Sequence, residues 1–329
     1  VTSQGVLFDK EIYESIESLE DNKKGFTSQL PSKHSLREYC PTVLIQEGGT
    51  CVGWATGYEA LSIIYNKKLN ITNQKEKDFY AFDPYFLYGL LKEKKDDSCE
   101  NGVITYWAIR FLEIYGCKKI LGPKFTDCDS KINSLCKKNA KPFLTDYFRT
   151  PNKIYKYGSR DQKIEYLKQN LNEPWVIAVN TTPTFGELGY KSGTISKNGL
   201  WDPEENEQIT YGHAMCLVGY DDNKFGGAFE VMNSWGTDFG DNGFIWIKYD
   251  DFIKYTRELY KIVAYNLSEK SGGNYTIYSF RNNPNYIHVS FKNGDSFEGN
   301  IDNSGLRKGF GMYYYNDGNC QISNYKNDK

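Results

Sequence analysis

In the stretch QEGGTCVGWATGYEAL, residues 46–61, a single cysteine stands where a glycine-rich turn gives way to a helical pattern. A thiol attacks well only as thiolate, and the exposed amide N–H groups at a helix start favour negative charge. Cys51 occupies such a position. Its proton is best passed to an imidazole, which can later hand it to a leaving amine. Of the three histidines, 34, 213 and 288, His213 follows Gly212 and opens the strand-like run HAMCLVGYDD, where a side chain can project from a sheet edge into a cleft. His34 lies in a polar stretch and His288 near the C-terminal end, and both read as structural. An imidazole acting as base needs an acceptor that holds one tautomer. Asn233, in VMNSWGTDFGDNGFIWIKY, offers a neutral one, and Trp235 can lie over that hydrogen bond and exclude water. A tetrahedral oxyanion needs donors, which the Gln46 side-chain amide and the Cys51 N–H can provide. Taken singly, each of these residues has an ordinary structural use, the cysteine as a small buried hydrophobe. As a set of four they point to acyl transfer.

The elements that must position them divide the chain. Residues 1–29 are polar and charged and read as an arm ahead of the fold, with LEDNKKG as a surface connector. From Thr50, a candidate N-cap, to about Tyr65, the residues Val52, Ala55, Tyr58, Leu61 and Ile64 recur on one apolar stripe and predict a helix. Two more helices are predicted over DPYFLYGLLKEK and TYWAIRFLEIYG, the second ended by Gly116. After Pro151 the runs WVIAVNTT, GHAMCLVGYDD, AFEVMNSW, GFIWIKY and ELYKIVAYNL are β-branched and aromatic, and Asp, Asn and Gly clusters separate them. A helix-rich first half and a strand-rich second half predict an α+β fold, with a cleft between the halves as the place for chemistry.

Composition limits the alternatives. With 40 basic and 42 acidic residues among 329, the formal charge is −2, which argues against a nucleic-acid or membrane-surface partner. No apolar run approaches the roughly 18 to 20 residues that span a bilayer. Eight cysteines are too sparse for a disulfide scaffold and show no CxxC pair for zinc, although Cys99, Cys117, Cys128 and Cys136 lie close enough in sequence for bridging. Three histidines make an imidazole-based metal site improbable, and no metal or cofactor is expected. The chain begins with Val and lacks a basic-then-apolar leader, so a removed targeting segment, and hence secretion or export, is the expectation for localisation.

The motifs QEGGTCVGWA, GHAMCLVGY and NSWGTDFGDNGFIWIK, in that order, resemble the papain family of cysteine peptidases over roughly residues 30–268. The resemblance implies a two-lobed fold, a helical left lobe with Cys51 at the start of its central helix and an antiparallel, barrel-like right lobe carrying His213. It implies Cys51 as nucleophile, His213 as general base then acid, Asn233 as orienter and Gln46 in the oxyanion hole, a division of labour long established for Cys-His-Asn peptidases. It further suggests Gly102, in SCENGV, for pairing with a substrate backbone and Tyr211 as a wall of the main side-chain pocket, with Trp235 beside them. Several departures stand out. The gap between Gln46 and Cys51 is one residue short, Val52 replaces the usual aromatic, and Gly48 takes the place of the usual disulfide cysteine, leaving Cys99 without its family partner. The CVGWA form resembles bacterial-type members. His213 and Asn233 follow Cys51 by 162 and 182 residues, more than the roughly 130 to 150 usual in the family, so insertions are expected in residues 182–212 and around DDNKFGGAF.

The region 272–329 differs again. Asn293-Gly294-Asp295 and Asp317-Gly318-Asn319 each follow an aromatic run, as short hairpins would require. FEGNIDNSGLRKGFGMYYYNDG resembles a MORN repeat, with an irregular β tail as the alternative. Either way the tail is expected to be a small separable hairpin module that docks a protein partner and whose removal spares small-peptide cleavage. The expected activity is hydrolysis of peptide or protein substrates through a thioester. A catalytically silent peptide-binding scaffold and a transpeptidase or transamidase using the same acyl-enzyme are the alternatives.

Overall fold

The computed structural model describes residues 5–16, 30–92, 96, 98–120, 143, 145–149, 154, 156–188, 199–264, 267–280, 283–326 and 328. The connector LEDNKKG and the cysteines at 128 and 136 lie outside them. Among the described residues, helix α1 is Lys10–Ser15 and α2 is one continuous helix built from Cys51–Gly53, a π-helical stretch Trp54–Leu61, and Ser62–Lys68. Then come α3 (Gln74–Phe79), α4 (Pro84–Leu91), α5 (Thr105–Tyr115), α6 (Arg160–Asn170), α7 (Pro183–Glu187) and α8 (Tyr249–Tyr255). The predicted stripe on α2 is buried, but Thr50 caps it differently from expectation. Its hydroxyl donates to the Glu47 carbonyl at 2.6 Å and makes no side-chain cap bond to the helix. Helix α6 falls where the sequence reading saw only strands, and its signal is a capping box between Ser159 and Gln162.

Strands β1 (Val6–Leu7), β2 (Lys33–Ser35), β3 (Val103–Ile104) and β4 (Thr145–Arg149) are followed by β5 (Trp175–Asn180), β6 (Leu200–Trp201), β7 (Gly212–Asp221), β8 (Ala228–Met232), β9 (Phe244–Lys248) and β10 (Thr256–Ala264). One sheet orders them β4-β10-β5-β7-β8-β9-β6 with β2 paired to β7, antiparallel except between β6 and β9. Strands β5 and β7 are covered on both faces. Val176, Ala178, Ala214, Cys216 and Val218 join the core around α2, whereas Trp175, Ile177, Val179, Met215 and Leu217 join a second core with α6 and α8. The two-residue period of a strand makes that division. The two faces thus serve two cores, and α2 packs on one of them.

Six further strands, β11 (Leu267–Ser271), β12 (Tyr275–Phe280), β13 (Asn283–Phe291), β14 (Ser296–Ile301), β15 (Arg307–Tyr314) and β16 (Cys320–Tyr325), form an antiparallel meander in chain order. The predicted turns at Gly294 and Gly318 both take φ of 89°, the left-handed region that suits glycine. This sheet shares a core with the helices. Phe280, Tyr286, Met312 and Tyr314 belong to the cluster that contains Tyr65, Tyr80 and Cys51.

A buried polar knot reinforces the contact. Glu298 of β14 accepts from the hydroxyls of Tyr65 on α2 and Tyr286 on β13, the latter at 2.6 Å, and its Oε2 lies 3.6 Å from Lys119 Nζ. Lys119 Nζ sits over the Tyr65 ring, 3.1 Å from its centroid, and His288 Nδ1 approaches Glu298 at 3.4 Å. Burial pushes the Glu298 carboxyl well above and the Lys119 amine well below their usual ranges. Removing Glu298 takes a buried partner from the Tyr65 and Tyr286 hydroxyls and the Lys119 amine, at about 1 to 3 kcal/mol for each group left unsatisfied. Glu298→Ala is therefore expected to lower the unfolding free energy by about 3 kcal/mol or more, measured by urea denaturation. Contrary to the expectation of a dispensable tail, truncation after Ser271 should abolish cooperative unfolding, since it uncovers Tyr65, Tyr80 and Lys119 together.

Candidate active site

Cys51 is the first residue of α2 and is fully buried. Its Sγ accepts the Ala214 backbone N–H at 3.4 Å, which joins the helix start to the strand that begins at Gly212. His213, the neighbour of Ala214, is 2% exposed, and its Nε2 lies 2.7 Å from Asn233 Oδ1. An amide oxygen can only accept, so Nε2 carries the hydrogen and Nδ1 keeps its lone pair. Asn233 follows β8 directly, and its N–H donates to the Gly243 carbonyl at 3.0 Å. The Trp235 indole lies over the imidazole with centroids 4.9 Å apart.

Sequence reasoning missed Phe185 of α7. It is fully buried and meets His213, Trp235 and Phe239 at centroid distances of 5.7, 5.2 and 5.6 Å. It lies in a stretch read simply as an insertion, and the Pro at the first turn of α7 was the available helix signal. Ser234 was also overlooked. Its hydroxyl donates to Gln46 Oε1 at 2.7 Å, while the Gln46 N–H donates to the Ser234 carbonyl at 2.8 Å. Gln46 Nε2 donates to the Gly48 carbonyl at 2.8 Å. One of its two amide hydrogens is therefore engaged beside the loop that leads to Cys51.

The remaining candidates lie around this centre. Tyr211, half-buried, has its ring 6.4 Å from Trp235, and its carbonyl accepts from Thr181 N–H at 2.9 Å. Gly102 directly precedes β3. Cys99 is disulfide-bonded, while Cys117 is a free, buried thiol. Among the described residues, no group of three or more His, Cys, Asp or Glu is arranged to hold a metal ion.

The arm reaches into this site. Strand β1 pairs in parallel with β3, Val6 against Val103 and Leu7 against Ile104. Gly5 packs on the thiol so closely that any side chain there would collide with Cys51 Sγ. The Val6 carbonyl and the Phe8 ring crowd Gly212, each 2.8 Å from where a Cβ would stand. Tyr13 of α1 anchors the segment, its hydroxyl donating to the Leu259 carbonyl and accepting the Leu259 N–H, both at 3.3 Å. The polar arm of the sequence reading thus contains a buried apolar set, Val6, Tyr13 and Ile16.

Burial raises the Cys51 thiol to about 12, opposed by the Ala214 N–H, and lowers the His213 imidazole to about 4, opposed by its bond to Asn233. At neutral pH both are therefore uncharged with the arm in place. Glu59 lies on the same helix. Glu59 is itself buried with both oxygens unpartnered, and burial keeps its carboxyl protonated well above the usual range.

Comparison with known proteins gives a consistent set of likenesses. The family model for papain family cysteine proteases matches residues 91–262, just over half the chain, a span that includes His213 and Asn233 but begins after Cys51. An uncharacterized peptidase C1-like protein of Acanthamoeba polyphaga mimivirus is 33% identical over 93 residues, covering 27% of each chain. The chain thus matches about a quarter of that relative's length. In fold, the chain is similar to xylellain, a cysteine protease from Xylella fastidiosa, with TM-score 0.59 and 20% identity over 80% of this chain and 97% of that one. Procathepsin B S9 from Trypanosoma congolense gives TM-score 0.55 and 16% identity over 80% and 87% of the two chains.

The crowding at Gly5 leads to a test. A thiol held at about 12 is almost wholly protonated at pH 7, so iodoacetamide should alkylate Cys51 slowly and faster with each rise in pH. Gly5→Val should push the arm off, admit water and lower the thiol's pKa. Alkylation at pH 7 is then expected to rise about tenfold or more, with a flatter pH profile, followed by mass spectrometry of the Cys51 peptide.

Proposed function

The chain belongs to the papain family of cysteine proteases, and from that membership we propose that it hydrolyses peptide bonds through a thioester on Cys51. The observation that carries the proposal is the continuous backbone from His213 to Ala214. It holds the imidazole, fixed by Asn233 at 2.7 Å, next to the residue whose N–H touches Cys51 Sγ at 3.4 Å. With the arm displaced, the thiol gives its proton to His213 Nδ1 and the thiolate adds to the substrate carbonyl. The oxyanion takes hydrogen bonds from the Cys51 N–H and the remaining Gln46 amide hydrogen. Collapse breaks the C–N bond while His213 protonates the leaving amine. Water, deprotonated by His213, then releases the acid and restores the thiol. Trp235 and Phe185 keep the imidazole dry and in place.

In this reading residues 1–29 form an N-terminal arm, 30–268 a two-lobed peptidase domain and 272–329 a MORN-like hairpin tail. The CVGWA segment supports a grouping with bacterial-type members. In the tail, the Phe297 ring lies against Gly299 and Gly311, an aromatic-on-glycine contact that supports the MORN-like reading. The parallel pairing of β1 with β3 just after Gly102 supports that edge as one to which a substrate strand adds, with Tyr211 as a wall of the side-chain pocket. The substrates are peptides or proteins. No helix among the described residues is long and apolar enough to cross a membrane.

The test uses the Gly5→Val chain as the active background. An epoxysuccinyl inhibitor should label Cys51 stoichiometrically, and a fluorogenic peptide should be cleaved. Cys51→Ala and His213→Ala should each lower kcat/KM by roughly 10³-fold or more, and Asn233→Ala by less. Absence of both labelling and turnover across a diverse peptide library would overturn the proposal.

A further inference from the structure

A cleft of about 670 Å³ lies away from Cys51, between the arm and the flank of the β half. Its volume falls within the roughly 300 to 1,000 Å³ that holds a small organic molecule. The floor is apolar, formed by Ile154, Leu167 and Phe252 of the second core. The roof is the arm itself, through Phe8, Lys10, Tyr13 and Glu14.

Its charge is lopsided. Lys10, Lys156, Lys163 and Arg257 line it, against Glu14 and Glu258. Glu14 is shared by Lys156 at 2.8 Å and Lys10 at 4.0 Å. Glu258 is 2% exposed, accepts from the Tyr260 hydroxyl at 3.3 Å, and is raised by burial to about 7, so it is only partly ionised at neutral pH. Arg257 donates to the Asn180 amide oxygen from Nε at 2.7 Å and Nη2 at 2.9 Å, a neutral partner. Lys163 makes no ion pair among the described residues.

We infer that this cleft binds a small organic anion with an apolar or aromatic body, its charged end drawn to Lys163 and Arg257, its body on Ile154, Leu167 and Phe252. A carboxylate and a phosphate share that chemistry. The ligand touches arm and body at once, so it binds the arm-docked form and holds Gly5 over Cys51. That consequence, unlike the binding itself, rests on Cys51 being the nucleophile. At a free concentration of about 100 times Kd, such a ligand raises the docked-to-undocked ratio by about 100-fold.

The experiment is calorimetric titration of the full chain with phenyl phosphate, benzoate and neutral phenol, repeated in Cys51→Ala so that loss of peptidase activity cannot affect the reading. One-site binding of phenyl phosphate or benzoate is expected, with phenol about tenfold weaker or worse. Lys163→Glu should weaken the anion about tenfold with an unchanged thermal melt. The bound anion should also slow Cys51 alkylation in the native chain and not in Lys163→Glu. Failure of both anions to bind, equal binding of phenol, or indifference to Lys163→Glu would overturn the site. Binding without any slowing of alkylation would overturn its link to the arm.

Discussion

Everything at this site depends on one long-range contact, the Ala214 N–H on Cys51 Sγ across 163 positions of chain. It sets a helix start from one half of the sequence against a strand start from the other. Neither half can make the site alone. The contact is held because β5 and β7 are buried on both faces, so α2 packs on one side while a separate core grips the other. A strand covered in this way cannot slip by one residue without turning both apolar sets the wrong way. The position of His213 is therefore as firmly determined as that of Val176 or Leu217, which are core residues with no chemistry to perform.

The same burial that brings these groups together also keeps them uncharged. Desolvation moves the thiol and the imidazole in opposite directions, each towards its neutral form. Part of that burial belongs to the arm, whose Gly5 leaves no room above the sulfur. Because the arm is anchored elsewhere, by Tyr13 on Leu259, it can cover Cys51 without contributing any charged group to it. Neutral sulfur and neutral ring are the state in which an occluding segment is least disturbed by the groups it covers.

The C-terminal sheet has a different relation to the body. Its aromatic and polar inner face closes over Lys119 and Tyr65, and Glu298 supplies a buried polar partner to a lysine that the helical half encloses. A lysine so deeply enclosed requires that partner. The sheet therefore completes the helical half, as a third layer on the side of α2 that the β half leaves uncovered.

Much of this was legible in the residues. Spacing and apolar period located α2, α4, α5 and the strands β5, β7, β8, β9 and β10, and residue chemistry picked out Cys51, His213, Asn233 and Gln46 as a set. The capping box of α6 was also present and went unread. Other features carry no local signal at all. Nothing near Gly5 says that it will rest on a sulfur 46 positions away, and nothing near Lys119 announces Glu298. Secondary structure follows from neighbours in sequence, through period, caps and turn residues, so the sequence by itself determined the elements and the reactive groups. Which surfaces meet is decided by burial and by pairing between distant segments. Only the tertiary structure could therefore show that the arm covers the thiol and that the tail is part of the core.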